Sequence, residues 1–169
     1  MNSRPLRLLL VDDEPSIRAT LPLVLERELG AEVRVAATVA EAVENIRKYN
    51  FDALLSDLNI GSEEDGFEVV LAMKKAQPDC VNFIVTGYPA FETAVRGIRE
   101  QIADYFTKPA DLDAMVNSMR EKIERSRRGN TEREAHASFA ITSVVFPPGF
   151  SAVLGDTPPR GFASQYRLL

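Results

Sequence analysis

The chain has little of what several function classes require. Of its 169 residues, one is cysteine and one is histidine. A single cysteine forms no internal disulfide, and one cysteine with one histidine argues against a zinc site. A basic excess is missing as well. Twenty Lys and Arg stand against 25 Asp and Glu, a formal net charge of -5, which is a poor basis for gripping nucleic acid by bulk charge. No apolar run reaches the ~20 residues of a membrane-spanning helix. The run LRLLLV at 6–11 is short and meets Asp12, Asp13 and Glu14, and the stretch from Phe139 to Leu154 is broken by Thr142, Ser143, Pro147, Pro148 and Gly149. Neither a GxGxxG nor a Walker A motif supports a nucleotide enzyme. These absences predict a cytoplasmic protein with no membrane and no direct nucleic-acid contact.

What is present is unevenly distributed. Apolar residues make up 45% and charged residues 27%, enough for a globular core. Residues 1–128 carry the whole net charge, with 17 Lys and Arg and 22 Asp and Glu. Residues 129–169 carry three Arg, two Glu and one Asp, together with four prolines and four glycines. The expected organisation is therefore a domain over 1–128 and a disordered or weakly structured tail over 129–169. The tail has neither the basic balance nor the helical pattern of a DNA-reading output domain.

Within the first part, apolar strands are expected at 6–11, 32–36, 52–56, 80–85 and 104–106. Several are almost continuously apolar, as in a parallel sheet covered on both faces. Helical patterns lie between them. Residues 15–29 stop at Gly30, a natural left-handed cap, although Pro22 should kink this helix or face solvent. Thr38 and Glu41 form a capping box for the second. The third covers 67–76, before Pro78. The fourth, 89–101, begins at Pro89, a favoured first-turn residue. The fifth, 111–127, spaces Leu112, Met115, Val116, Met119 and Ile123 along one face. Five strand–helix units with short connections imply a doubly wound α/β fold with a five-stranded parallel sheet flanked by five helices.

In such sheets ligands bind outside the carboxyl ends of the strands. There the sequence places Asp12, Asp13 and Glu14 after strand one, Asp57 and Asn59 after strand three, Thr86 and Gly87 after strand four, and Lys108 and Pro109 after strand five. Gathered carboxylates repel one another, and a hard divalent cation is the usual remedy; Mg²⁺ suits one or two carboxylates with waters and phosphate oxygens. Lys108 can pair a carboxylate or a phosphoryl oxygen, and one carboxylate can act as a nucleophile. Each residue also has a plainer use. Asp13 can cap a helix, Asp57 and Thr86 can sit in turns, Lys108 can be a solvated loop residue, and Tyr105 can be core packing. Cys80 reads as a small buried hydrophobe and His136 as a solvated tail residue.

The segments LLLVDDE, LLSDLN, IVTGYP and DYFTKP together resemble the receiver domain of two-component response regulators, over roughly residues 5–127. The resemblance implies a flavodoxin-like sheet in the order 2-1-3-4-5 and a phosphoryl group accepted on Asp57. It implies Mg²⁺ organised by Asp12, Asp13, Asp57 and the backbone carbonyl of Asn59, with Thr86 as the switch hydroxyl and Lys108 as the family lysine. The Lys108–Pro109 bond would be cis, and Tyr105 would be the aromatic that moves inward with Thr86. The implied donor is a histidine kinase or a histidine phosphotransfer protein. An unidentified output protein, or a second copy, would bind through the 88–127 face.

Two departures stand out. The family's usual Met-Pro is Ile60-Gly61 here, and the segment to Asp65-Gly66 is one residue longer, with Glu63, Glu64 and Asp65 beside the site. Tyr88, two residues after Thr86, is placed to shield an acyl phosphate from water. Besides a stand-alone phosphorylated receiver, three readings stay open: a regulator whose tail is the output element, a receiver-like scaffold that is never phosphorylated, and a Mg²⁺-dependent phosphohydrolase. The last is disfavoured by the lack of Asp-x-Asp after strand one.

Overall fold

The computed structural model describes residues 4–63, 65–108 and 110–140, the final ten as backbone only. Strands and helices alternate: β1 (Leu6–Val11), α1 (Pro15–Leu29), β2 (Ala31–Ala36), α2 (Val39–Lys48), β3 (Ala53–Asp57), α3 (Gly66–Ala76), β4 (Val81–Thr86), α4 (Phe91–Arg99), β5 (Asp104–Thr107) and α5 (Leu112–Ala140). The strands form one sheet in the order β2-β1-β3-β4-β5, every neighbouring pair parallel. The expected architecture and strand order are both present.

The pleat divides the apolar runs between two cores. Leu8 and Leu10 of β1, Leu55 of β3 and Phe83 and Val85 of β4 pack with Leu21 and Leu25 of α1 and with Met115, Met119 and Ile123 of α5. Leu9 and Val11, Leu54 and Ile84 turn the other way, against Ala42 and Ile46 of α2 and Phe67, Val70 and Met73 of α3. Burial on both faces is why these strands lack polar alternation. Cys80 is buried in the second core, and that burial pushes its thiol pKa well above the ordinary value.

Element ends show local chemistry at work. Gly30 caps α1 in the left-handed region at φ 62°, its N–H donating to Glu26 O at 3.0 Å. Thr38 Oγ1 accepts the Glu41 N–H, and Glu41 Oε2 accepts the N–H of Ala37, the residue before the cap. Pro22 is half-buried in α1, which runs on through it. Two expectations need correction. First, α4 starts at Phe91 rather than Pro89, because Ala90 is still extended and the Thr93 hydroxyl ties back to it. Second, α5 does not stop at 127 but continues to Ala140. No proline intervenes before Pro147, and a single Gly129 costs a helix only about 1 kcal/mol relative to Ala. The chain divides into units Met1–Ser126 and Arg127–Leu169. Of the expected 129–169 tail, residues 129–140 belong to α5, and the remainder lies outside the described residues, as do the His136 side chain and the Lys108–Pro109 bond geometry.

Candidate functional site

Four strand ends deliver the site. Asp12 follows β1 and is fully buried. Its Oδ1 accepts the Glu14 N–H at 2.9 Å, closing the turn into α1, and its Oδ2 accepts from Lys108 Nζ at 2.7 Å. Asp57, the last residue of β3, accepts from the same ammonium through Oδ2 at 2.6 Å. Its Oδ1 takes only a long bond, 3.3 Å, from the Asn59 N–H. Asp13 is exposed, and Asp12, Asp13 and Asp57 can each offer an oxygen within 4.8 Å of the others. It does not cap α1: Glu14 occupies the cap position.

Lys108 is held by its own backbone, whose N–H donates to Thr86 O at 2.7 Å. Burial alone would lower the Lys108 pKa, but the hydrogen bonds it donates to Asp12 and Asp57 and their charges outweigh it and hold the ammonium above the ordinary lysine range. Three carboxylates and one ammonium leave the cluster net negative. The donors are hard oxygens; Asp13 and Asp57 line an open cavity of about 620 Å³ together with Asn59, Tyr88 and Lys108, and Asp12 lies buried beneath. This donor set fits Mg²⁺, which binds through few carboxylates and keeps several waters.

Thr86, at the end of β4, is buried, and its Oγ1 accepts the Tyr88 N–H at 3.1 Å. Tyr105 is half-buried on the α2–α3 side of the sheet, opposite Ile84 in the register. Its hydroxyl lies 2.9 Å from Thr93 Oγ1. Tyr88 is 81% exposed at the cavity rim.

Sequence reasoning missed three groups around this site. Arg18 Nη1 donates to the Asp12 carbonyl at 2.8 Å, a bond from the first turns of α1 back to the end of β1 that helical spacing alone does not reveal. Asp65 ties the loop after β3, accepting the N–H of Ile60 at 2.6 Å and of Ser62 at 3.1 Å. Gly66 lies so close to β3 that a Cβ built there would fall 2.0 Å from the Asp57 carbonyl oxygen. The sequence marked Asp65-Gly66 as the end of the lengthened segment, but not the contact of Gly66 with Asp57.

Comparison with known families matches residues 8–120 to the response regulator receiver domain. The chain belongs to that family. Receivers of this kind take up a phosphoryl group on an aspartate with Mg²⁺. Among curated relatives, the transcriptional regulatory protein GlrR of Escherichia coli is 32% identical over 79% of this chain and 30% of its own length. The response regulator protein PilR of Pseudomonas aeruginosa is 28% identical over 90% of this chain and 31% of its own. This receiver chain thus spans about a third of those relatives. A CheY-like receiver domain from Methanospirillum hungatei superposes with a TM-score of 0.70 at 28% identity, covering 75% of this chain and 99% of that one. No described helix is long and apolar enough to cross a membrane.

Proposed function

We propose that this receiver accepts a phosphoryl group on Asp57 from a phosphohistidine of a histidine kinase or histidine phosphotransfer protein. The observation that carries the reading is the Lys108 ammonium bridging Asp12 and Asp57 beside the exposed Asp13. Lys108 occupies Oδ2 of Asp57, so Oδ1 is the better oxygen for attack on phosphorus. The O–P bond forms as the P–N bond to the donor imidazole breaks, and the imidazole nitrogen leaves with the electron pair. Bound Mg²⁺, held by Asp12, Asp13, Asp57 and the Asn59 carbonyl, would neutralise charge building on the phosphoryl oxygens. Lys108 exchanges a carboxylate for a phosphoryl oxygen without losing its charge pairing. The Thr86 hydroxyl, now bound within its own turn, donates to the phosphoryl group, and Tyr105 follows it inward. The process is self-modification by a signalling domain.

The output surface is the 88–127 face, offered to a protein partner or a second copy. Phe91 and Ile98 are 79% and 78% exposed on α4, next to Tyr88, which supports an apolar contact there. A second reading, in which residues beyond 128 carry output, is in line with the greater length of the curated relatives, whose own chains extend well past this receiver. Incubation with acetyl phosphate and Mg²⁺ followed by intact mass tests the first step. Wild type gains one phosphoryl group and Asp57→Asn gains none; an unmodified wild type overturns the reading.

A further inference from the structure

Asp65 is the first candidate for an ordinary helix cap, yet its carboxylate makes no capping bond to α3. Both oxygens turn back into the preceding loop, Oδ1 to the Ile60 N–H and Oδ2 to the Ser62 N–H. The Ile60 N–H belongs to the same planar peptide as the Asn59 carbonyl. In a trans peptide the two groups point in opposite directions, so the bond to Asp65 turns the Asn59 carbonyl away from Asp65. Asn59 lines the carboxylate cavity, and Asp65 is absent from the described lining. The other side of this peptide is anchored too, because the Ile60 side chain is buried in the core beneath α2 and α3. A charge-assisted bond on the N–H also polarises the peptide and makes its carbonyl a stronger donor.

We propose that Asp65 is a positioning residue that aims and strengthens the Asn59 carbonyl as a Mg²⁺ ligand. This rests on the reading above that the Asn59 carbonyl joins the three carboxylates around Mg²⁺. The loop here has an unusual Ile-Gly pair and one added residue, and Gly61 sits at φ 105°. Asp65 closes that longer path by clamping both sides of the glycine.

The test is Mg²⁺ titration of the unphosphorylated full chain by calorimetry, with ¹H–¹⁵N spectra following the Ile60 amide. Outer-shell partners of metal ligands typically contribute about 10- to 100-fold in affinity. Asp65→Ala is expected to weaken Mg²⁺ binding by about tenfold and to move the Ile60 amide signal. Asp65→Asn retains one acceptor oxygen, enough for the Ile60 N–H but not for both N–H groups, and is expected to recover part of the affinity. Glu68→Gln removes a neighbouring charge and is expected to bind as wild type does. Unchanged affinity in Asp65→Ala overturns the proposal. So does a loss in Asp65→Asn as large as that in Asp65→Ala, since charge alone then explains the effect. If Asp13→Asn binds Mg²⁺ as wild type does, the underlying cation reading fails instead.

Discussion

Lys108 is bonded to the fully buried Asp12 and to Asp57, which is mostly buried at the cavity wall, so its loss leaves both without their cation. Lys108→Met is expected to destabilise the metal-free protein by about 3 kcal/mol, the lower range for breaking a buried pair, as read from urea unfolding. The sign of its pH dependence follows from its raised pKa. The contribution is complete below the unfolded lysine value of 10.5 and disappears as pH rises through the higher folded value. The wild-type advantage should therefore be flat from roughly pH 6 to 9 and shrink only at strongly alkaline pH. At Gly66, an alanine methyl has nowhere to go except into the Asp57 carbonyl. Gly66→Ala should lower stability by about 1–3 kcal/mol and slow phosphoryl uptake; a variant with wild-type kinetics would show that β3 tolerates the shift. Tyr88, exposed at the rim, is expected to screen the acyl phosphate. Tyr88→Ala should speed phosphoryl loss severalfold in a decay assay, and an unchanged rate rejects the screening role.

Elements are held to one another by a few polar clamps laid over the apolar cores. Asp104 at the start of β5 binds Lys122 Nζ and Ser118 Oγ of α5, each at 2.5 Å. Partial burial would raise its pKa, but bonds from Lys122, Ser118 and the Tyr105 N–H prevail and hold it below the ordinary value. Its stabilising effect is thus present above the unfolded aspartate value of 3.8 and lost as pH falls through the lower folded value. Asp104→Asn should melt earlier than wild type at neutral pH and converge with it in acid, as followed by thermal denaturation across pH. This scale also shows what was legible beforehand. Continuous apolar runs announced the parallel strands because both faces are buried, and Gly30 announced the end of α1 because only its left-handed backbone closes that turn. Asp12, Asp57 and Lys108 were legible because each sits at or just after the carboxyl end of a strand. The Thr93–Tyr105 bond, the Arg18 bond and the Asp65 clamp were not, since side-chain partners across a turn or between elements leave no periodic trace. The start of α4 was misplaced for a similar reason: Thr93 ties back to an extended Ala90, whereas Pro89 alone favoured an earlier first turn.

Over the whole molecule, the last described α5 residue in the core is Ile123, and the first unit ends at Ser126. A chain ending at residue 128 should keep its unfolding free energy within about 0.5 kcal/mol, the range of a surface change, and should still take up a phosphoryl group from acetyl phosphate. Partner capture that disappears with residues 129–169 would move the output function to that segment. The two-sided sheet has a further consequence. Tyr105 pairs with Ile84, and Thr86 follows two residues later on the same pleat, so the residues expected to respond to phosphorylation face the α2–α3 side. The packing of α1 and α5 belongs to the opposite side. Adjacent positions on one strand therefore address different layers: a substitution facing α1 and α5 can reshape that layer without passing through the residues expected to respond to phosphorylation.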